Sequence, residues 1–395
     1  MAMTSLPLLQ PSPSSRQALT ELQALGARFS AEAGVGLSRK GGAGPSDHKA
    51  IVFDGHTVMV PIHTSASRAS PYSLRASGPN RAVLERSGVR LGEVTFPEPP
   101  RFYAGSTSDG IPYWKIAQLH ATDVLATTVL QTCIRYNDRK TACQFCAIGQ
   151  SLEAERTVAK KTPAQLAEVA EAAVRLDGVK HMVMTTGTPA TADRGARVLV
   201  ESAAAVTARV GLPIQAQCEP PADDVWFERL RDAGVASLGM HLEAVTDAVR
   251  KRIMPGKAEV PLARYLTAFE RAVAVFGRGQ VSTYILAGLG DSHDDIVAMS
   301  RKVAALGVYP FVVPFVPIAG TPLEGHSTPD PAFMRRLLPE VAAVIRDAGL
   351  SRTSIRAGCG RCGACSTLAA HEGADSATRH PDAAVGLGSM QEGAA

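Results

Sequence analysis

Three things are scarce in this 395-residue chain: aromatic residues, net charge and unbroken apolar sequence. Aromatics make up 5%, too few to suggest bases stacked on aromatic platforms. The 41 basic residues nearly balance 37 acidic ones, for a formal net charge of +4, so there is no electrostatic footprint for nucleic acid. No stretch reaches the about 18 apolar residues of a membrane helix. The longest apolar segment, Val308 to Gly320, is cut by Pro310, Pro314 and Pro317. The N-terminus has no basic segment followed by an apolar region, so no secretory signal is expected. The Gly-rich stretch Gly34 to Pro45 lacks a Gly-Lys-Ser/Thr ending, which removes a phosphate-loop reading. These absences predict a cytoplasmic protein that handles a small molecule, with neither nucleic acid nor membrane as partner.

What is present is ordinary globular material: 45% hydrophobic and 20% charged residues, enough for a sizeable core. Residues 1 to about 15 are Pro- and Ser-rich and are expected to be disordered. A helix is expected over Ser15 to Phe29. Short strands follow, Ala50 to Phe53 and Thr57 to Ile62 among them, separated by Gly/Pro/Ser turns. From about Thr127 the pattern alternates strand and helix. Strands are expected at Thr127–Thr132, Val179–Thr186, Pro213–Cys218, Val235–Glu243, Gln280–Ala287 and Val308–Phe315. Helices fall between them, one starting at Pro163 behind an N-capping Thr162. A last helix, Pro331 to Ala348, precedes a Cys/Gly-rich tail. Six strands with right-handed helical crossovers predict an α/β fold, a partial (β/α)6 barrel. The expected division is 1–120, a β-rich N-terminal addition; 121–325, the barrel; and 326–395, a helix and a cysteine-rich segment.

Strand alternation adds a cavity to this picture. Gln215, Gln217 and Glu219 share one face; Ser237, Gly239, His241 and Glu243 share another, with Leu238, Met240 and Leu242 opposite. Apolar faces should meet the helices, and polar faces should line a cavity that opens at the C-terminal strand ends. Gln215, Gln217 and Glu219 are candidates for orienting a cofactor or substrate.

The seven cysteines divide as three, one and three. Cys133, Cys143 and Cys146 follow the first barrel strand in a polar loop that makes a poor core. Three thiolates can hold three irons of a four-iron cubane and leave the fourth open; a closed zinc site wants four ligands. Cys359, Cys362 and Cys365 form a second group with two-residue gaps. An auxiliary four-iron cluster is the first reading, zinc with a histidine such as His371 the second, and a redox-active pair the third. Gly358, Gly360 and Gly363 supply the backbone angles such a loop needs. Cys218 points away from Gln217 and Glu219 and reads as a buried structural thiol.

Three cysteines after the first strand of a partial barrel, with Phe145 just before the third, resemble the radical S-adenosylmethionine (SAM) enzymes. The usual loop is shorter between its first two cysteines; here nine residues intervene. The resemblance implies a [4Fe–4S] cluster on Cys133, Cys143 and Cys146 whose open iron is chelated by SAM. It also implies reductive cleavage of SAM to methionine and a 5′-deoxyadenosyl radical, with a flavodoxin or ferredoxin as electron donor. Thr185-Thr186-Gly187-Thr188 matches the place of the segment whose backbone holds the methionine amino group, without its glutamate. His241-Leu-Glu243 matches the ribose-contacting residues of biotin-synthase-like members. Ile285 to Gly290, with Gly288, resembles the adenine segment, and Val316 to Leu323 the segment after the sixth strand. Gln217, Glu219 and His241 are the expected catalytic residues. Arg250, with Arg252, is a candidate for a carboxylate of SAM or substrate. Tyr284 could face the cavity, with packing as its default. His48, His56 and His63 have no compact metal-site spacing. Gly41 to Pro61, Cys133 to Leu152, His181 to Gly187 and Gly358 to Ser366 resemble a subgroup found beside nitrilases in bacterial gene groups linked to nitrile or cyanide metabolism. A non-catalytic iron–sulfur carrier and a zinc-stabilised hydrolase are the alternative functions.

Overall fold

The computed structural model describes residues 12–29 and 47–372. The Gly-rich stretch Gly34 to Pro45 lies outside the described residues. Helix α1 (Pro13–Leu25) starts at an N-capping Ser12, whose side chain accepts from the Ser15 N–H. It ends four residues earlier than its apolar pattern suggests. Gly26 has φ of 70°, and a Cβ there would collide with the Pro61 carbonyl, so the chain turns where only glycine fits. Six strands then form one sheet: β1 (Arg28–Phe29), β2 (His48–Phe53), β3 (His56–Pro61), β4 (Tyr72–Gly78), β5 (Arg81–Arg86) and β6 (Val89–Thr95). Their order is β1-β4-β5-β6-β2-β3. Leu19 and Leu22 of α1 pack on Ile51, Val60 and Leu74 of this sheet.

The second sheet has seven strands: β7 (Gln118–His120), β8 (Val124–Thr128), β9 (His181–Thr185), β10 (Ile214–Gln217), β11 (Val235–Gly239), β12 (Val281–Ala287) and β13 (Val308–Pro314). They run in order from β7 at one edge to β13 at the other. β8 to β13 are parallel, and β7 adds an antiparallel edge. The edges do not pair with each other, so this is the expected partial barrel. The outer layer is α2 (Pro163–Asp177), α3 (Ala196–Val210), α4 (Val225–Asp232), α5 (Asp247–Ile253), α6 (Leu262–Phe276), α7 (His293–Ala305) and α8 (Pro331–Asp347). α2 carries a full capping box, Thr162 with Gln165, and Pro163 in its first turn. α7 has its own capping box from Ser292 and Asp295.

Two strands depart from their sequence pattern. β8 begins at Val124, three residues before its expected start, and stops at Thr128, where the following residues bond elsewhere: Gln131 N–H to Ala159 O, and Lys161 N–H back to Val129 O. β11 stops at Gly239, after which the chain still tracks β12 irregularly, Leu242 N–H reaching the Thr283 hydroxyl at 2.9 Å. The core between sheet and helices includes Leu166, Met182, Leu199, Ile214, Phe227 and Phe269, all fully buried. Cys218 is buried in the same cluster. Among the described residues no helix is long and apolar enough to cross a membrane.

Phe269 on α6 is the fold's most direct stability test. Truncating Phe269→Ala should cost about 3–5 kcal/mol, seen as a lowered midpoint in urea unfolding.

Candidate functional site

The polar residues at the strand beginnings do not face solvent. They hold the C-terminal tail. Arg356 N–H donates to Gln280 Oε1 at 3.0 Å, Ala357 N–H to Ser237 Oγ at 3.3 Å, Gly358 N–H to His181 Nδ1 at 3.1 Å, and Cys359 N–H to Gln215 Oε1 at 3.1 Å. Four consecutive backbone donors thus meet acceptors from the start of β9, β10 and β11 and from the residue before β12. Gly358 has φ of 104°, and a Cβ there would collide with the Gln215 amide. The tail therefore plugs the strand-start end of the barrel. Burial lowers the His181 pKa to about 4, with Arg361 adding to the shift and Asp123 opposing it, so the ring stays a neutral acceptor.

At the opposite end lies the loop of Cys133, Cys143 and Cys146, all free thiols. Ile134 N–H bonds Thr188 O at 2.9 Å, and Gly187 N–H bonds Leu130 O at 2.8 Å. A Cβ on Gly187 would collide with the Thr132 carbonyl, so this close approach requires glycine. Gln144 N–H bonds Ile253 O at 2.8 Å, and Gly256 N–H bonds Thr141 O at 3.1 Å, tying the loop to α5 and the turn after it. Cys143 and Phe145 pack against the apolar cluster of Val249, Ile253, Leu289 and Phe315. Burial raises the Cys143 thiol well above its ordinary value and the Cys146 thiol to about 12.

Between the two ends is a cavity of about 280 Å³. Phe145, Gln217, His241, Glu243 and Tyr284 line it, and Cys359 and Cys365 wall it at the tail end. His241 Nδ1 accepts the Tyr284 N–H at 3.2 Å. Among the described residues its Nε2 is buried without a hydrogen-bond partner. The neutral tautomer with Nδ1 accepting places the proton on Nε2, so the ring offers one unused donor at the cavity wall. Burial, aided by the Lys257 charge, lowers its pKa to about 3. Gly239 makes room: a Cβ would lie 2.8 Å from His241 Cε1 and 2.9 Å from Gln217 Cγ. Glu243 sits at φ of 64°, a left-handed conformation that is uncommon for a side chain of this size. It is held by its N–H to Tyr284 O and by Leu286 N–H to its own carbonyl, both 2.8 Å. Its carboxylate takes a 2.6 Å hydrogen bond from Lys257 Nζ.

The remaining expected site residues are placed differently. Glu219 does not line the cavity. It lies past the end of β10, where its carboxylate pairs with Arg135 of the cysteine loop, with Arg194 Nη1 at 3.1 Å, and with the Thr188 hydroxyl at 2.8 Å. Burial raises its pKa, but the Lys257 and Arg135 charges and the Thr188 and Arg135 hydrogen bonds outweigh burial and hold it low. Its direct contacts are with Arg135 of the loop, Arg194 and Thr188. Arg250 also departs from its expected place. It is fully buried, donates to Val260 O at 3.0 Å, and lies over the Tyr265 ring at 5.1 Å, so it braces α5 against α6. Arg252 donates to Leu289 O at 2.9 Å. The Ile285 side chain faces the helical layer, because β12 alternates and Tyr284 and Leu286 take the cavity side. Gly288 carries φ of 109° and accepts from the His326 ring at 2.9 Å. Thr186 caps its neighbour, its hydroxyl donating to Gly187 O at 2.8 Å. Neither Gly288, Thr186 nor Gly187 lines the cavity; they are bound in by backbone.

Sequence reasoning gave no role to His120, the last residue of β7, which lines the cavity and lies 3.6 Å from Cys365 Sγ through Nε2. The tail cysteine thus meets His120. Lys257 was also missed; nothing in its local sequence marks it. Tyr284 was legible only through its alternation with Leu286. Its hydroxyl donates to Cys359 Sγ, as does Gln217 Nε2 at 3.2 Å. Of the three N-terminal histidines, His48 lines the cavity, together with Gln23 of α1 and Met59 of β3.

Among the described residues no three His, Cys, Asp or Glu side chains are gathered closely enough to hold a single metal ion. A four-iron cubane takes one thiolate on each of several irons, so its ligands stand farther apart than those of a mononuclear site.

Residues 139–303 match the family model of the radical SAM superfamily, which supports that superfamily for this chain. Two curated relatives are similar over part of their length. The protein named "Probable dual-specificity RNA methyltransferase RlmN", from Moorella thermoacetica, is 29% identical over 126 residues, 31% of this chain and 34% of the relative. The bacteriochlorophyllide c C-7(1)-hydroxylase of Chlorobaculum limnaeum is 30% identical over 133 residues, 33% of each. The matches thus span about a third of these relatives. Among solved structures, methylornithine synthase has a TM-score of 0.44 at 17% identity, covering 62% of this chain and 69% of that one. A radical SAM methyltransferase from Sphaerobacter thermophilus has a TM-score of 0.45 at 15% identity, covering 71% and 76%. The superfamily implies a [4Fe–4S] cluster and SAM. The residues here fit both: three free thiols on one loop, and an orphaned buried donor on His241 beside a cavity.

The two neutral histidines predict acid lability. Both have folded pKa values below the ordinary 6.5. Their stabilising contribution is complete above pH 6.5 and is lost as pH falls toward 4, because the unfolded chain binds the extra protons. The slope should be about 1.4 kcal/mol per pH unit for each histidine. Urea unfolding at stepped pH reads it, and His181→Asn should remove about half.

Proposed function

Proceeding from the radical SAM match over residues 139–303, we propose that this chain is a cytoplasmic enzyme that cleaves SAM reductively at a [4Fe–4S] cluster and acts by a radical on a small molecule in the central cavity. The observation that carries the reading is the cavity itself. It has Phe145 of the first cysteine loop at one end, the tail cysteines at the other, and an unused donor on His241 in its wall. When bound, the cluster supplies the electron that splits the SAM sulfonium into methionine and a 5′-deoxyadenosyl radical. Cys133, Cys143 and Cys146 would hold it.

The chain's own residues then bind, orient and exclude water. Gly187 lets the β9 end approach the cysteine loop, so the loop's backbone is set before any ligand arrives. Glu219 latches that loop through Arg135 and is a positioning residue. His241 donates from Nε2 to an acceptor on SAM or substrate. Glu243 is oriented by Lys257 and by its held backbone. Apolar side chains such as Val183 and Val313 keep water from a reactive primary radical. We read 121–325 as the catalytic barrel, and Cys359, Cys362 and Cys365 as ligands of a second iron–sulfur centre. A flavodoxin- or ferredoxin-like protein is the proposed electron donor. The nitrile- or cyanide-linked setting is supported by the resemblance over Cys133 to Leu152, His181 to Gly187 and Gly358 to Ser366. A simple cluster carrier would leave the cavity and the His241 donor without a use.

Anaerobic reconstitution, reduction and assay for 5′-deoxyadenosine test the reading. The wild-type protein should form it, and Cys143→Ala should form none. An intact, reduced cluster with no 5′-deoxyadenosine would sink the proposal. Cys362→Ala should keep SAM cleavage. Gly187→Ala should lower iron bound at the first loop several-fold while leaving far-UV circular dichroism unchanged.

A further inference from the structure

The tail cysteines number three, and a closed two-iron centre, with two protein donors on each iron, needs one more. We propose that His120 supplies it, binding through Nε2 to the same metal ion as Cys365. The inference rests on the reading of the tail as an iron–sulfur site.

The geometry is direct. Cys365 Sγ and His120 Nε2 stand 3.6 Å apart. Two donors at ordinary metal–sulfur and metal–nitrogen distances, about 2.3 and 2.0 Å, and at a tetrahedral angle, are about 3.5 Å apart. The pair is thus spaced as two ligands of one ion. Both residues line the cavity, and both sit on held backbone. His120 ends β7, paired with Val124 of β8. Cys365 is fixed between two anchored neighbours. Met59 N–H and Gln23 Nε2 donate to Ala364 O at 2.8 and 3.0 Å, and Ser366 Oγ donates to Val312 O at 2.6 Å.

Three other polar neighbours of the tail are already committed elsewhere. His181 Nδ1 already accepts the Gly358 N–H. Gln217 and Tyr284 both donate to the Cys359 sulfur. Amide and hydroxyl donors of that kind tune a sulfur rather than bind a metal. Imidazole is an ordinary ligand of iron. Four protein donors, two on each iron of a two-iron, two-sulfide centre, leave no iron of the tail centre open to substrate. They also explain why the N-terminal unit grips Ala364: it sets Cys365 opposite His120.

The test isolates the tail by using a Cys133→Ala/Cys143→Ala/Cys146→Ala background. This full-length variant is reconstituted anaerobically with iron and sulfide, reduced, and examined by pulsed EPR for a strongly coupled histidine nitrogen. The coupling should be present. Adding His120→Ala should abolish it, and adding His120→Cys should retain the iron without the coupling. Adding His48→Gln should leave the coupling unchanged. An iron–sulfur signal without nitrogen coupling, or coupling that survives His120→Ala, overturns the assignment of His120. No iron in the starting variant overturns instead the second-centre reading on which it rests.

Discussion

The structure depends on one constraint: four consecutive backbone N–H groups, residues 356 to 359, must find acceptors inside a barrel. A buried amide left unpaired costs about 1–3 kcal/mol. Gln280, Ser237, His181 and Gln215 meet that demand from neighbouring strand starts. Those side chains are themselves ordered by one another. Ser237 Oγ donates to Gln280 Oε1 at 3.1 Å, and Gln217 Nε2 to Gln215 Oε1 at 2.8 Å. A connected polar network of this kind tolerates few arrangements. It therefore fixes where the tail cysteines stand and closes one end of the cavity.

The other end is fixed by different physics. There the loop of Cys133 is held by charge, with Arg135 and Arg194 sharing the Glu219 carboxylate. Buried ion pairs add little net stability but strongly disfavour an arrangement that leaves one partner alone. Glu243 adds a second such device, with its left-handed backbone held by β12 and its carboxylate by Lys257. Backbone strain of this sort persists only where surroundings over-determine it. The cavity thus lies between a neutral hydrogen-bonded plug and a charged latch. His241 stands in its wall and draws on both ends, through Tyr284 and the Lys257 field.

Much of the barrel was legible because its signals are local. Thr162, Pro163 and Gln165 mark the start of α2 by their own side-chain chemistry. Alternation correctly put Gln215 and Gln217 on the inner face and Leu238 with the helices. The same alternation failed at Glu219, which lies beyond the last regular residue of β10, so periodicity no longer governs its direction, whereas Glu243, beyond β11, still lines the cavity. Arg250 failed for another reason: its position on α5 is clear, but only α6 and the Val260 carbonyl decide that it turns inward.

By itself, the sequence determined the α/β barrel, the grouping of the cysteines as three, one and three, and the inward polar strand faces. Each follows from period, cap or spacing within a few residues. Only the tertiary structure decided what those polar faces serve, since His181, Gln215, Ser237 and Gln280 lie 76 to 177 residues from the backbone they bind. It also decided that His120, 245 residues before Cys365, belongs with the tail. No local pattern encodes such a meeting. It arises because buried donors must be satisfied by whichever acceptors the closed sheet brings near.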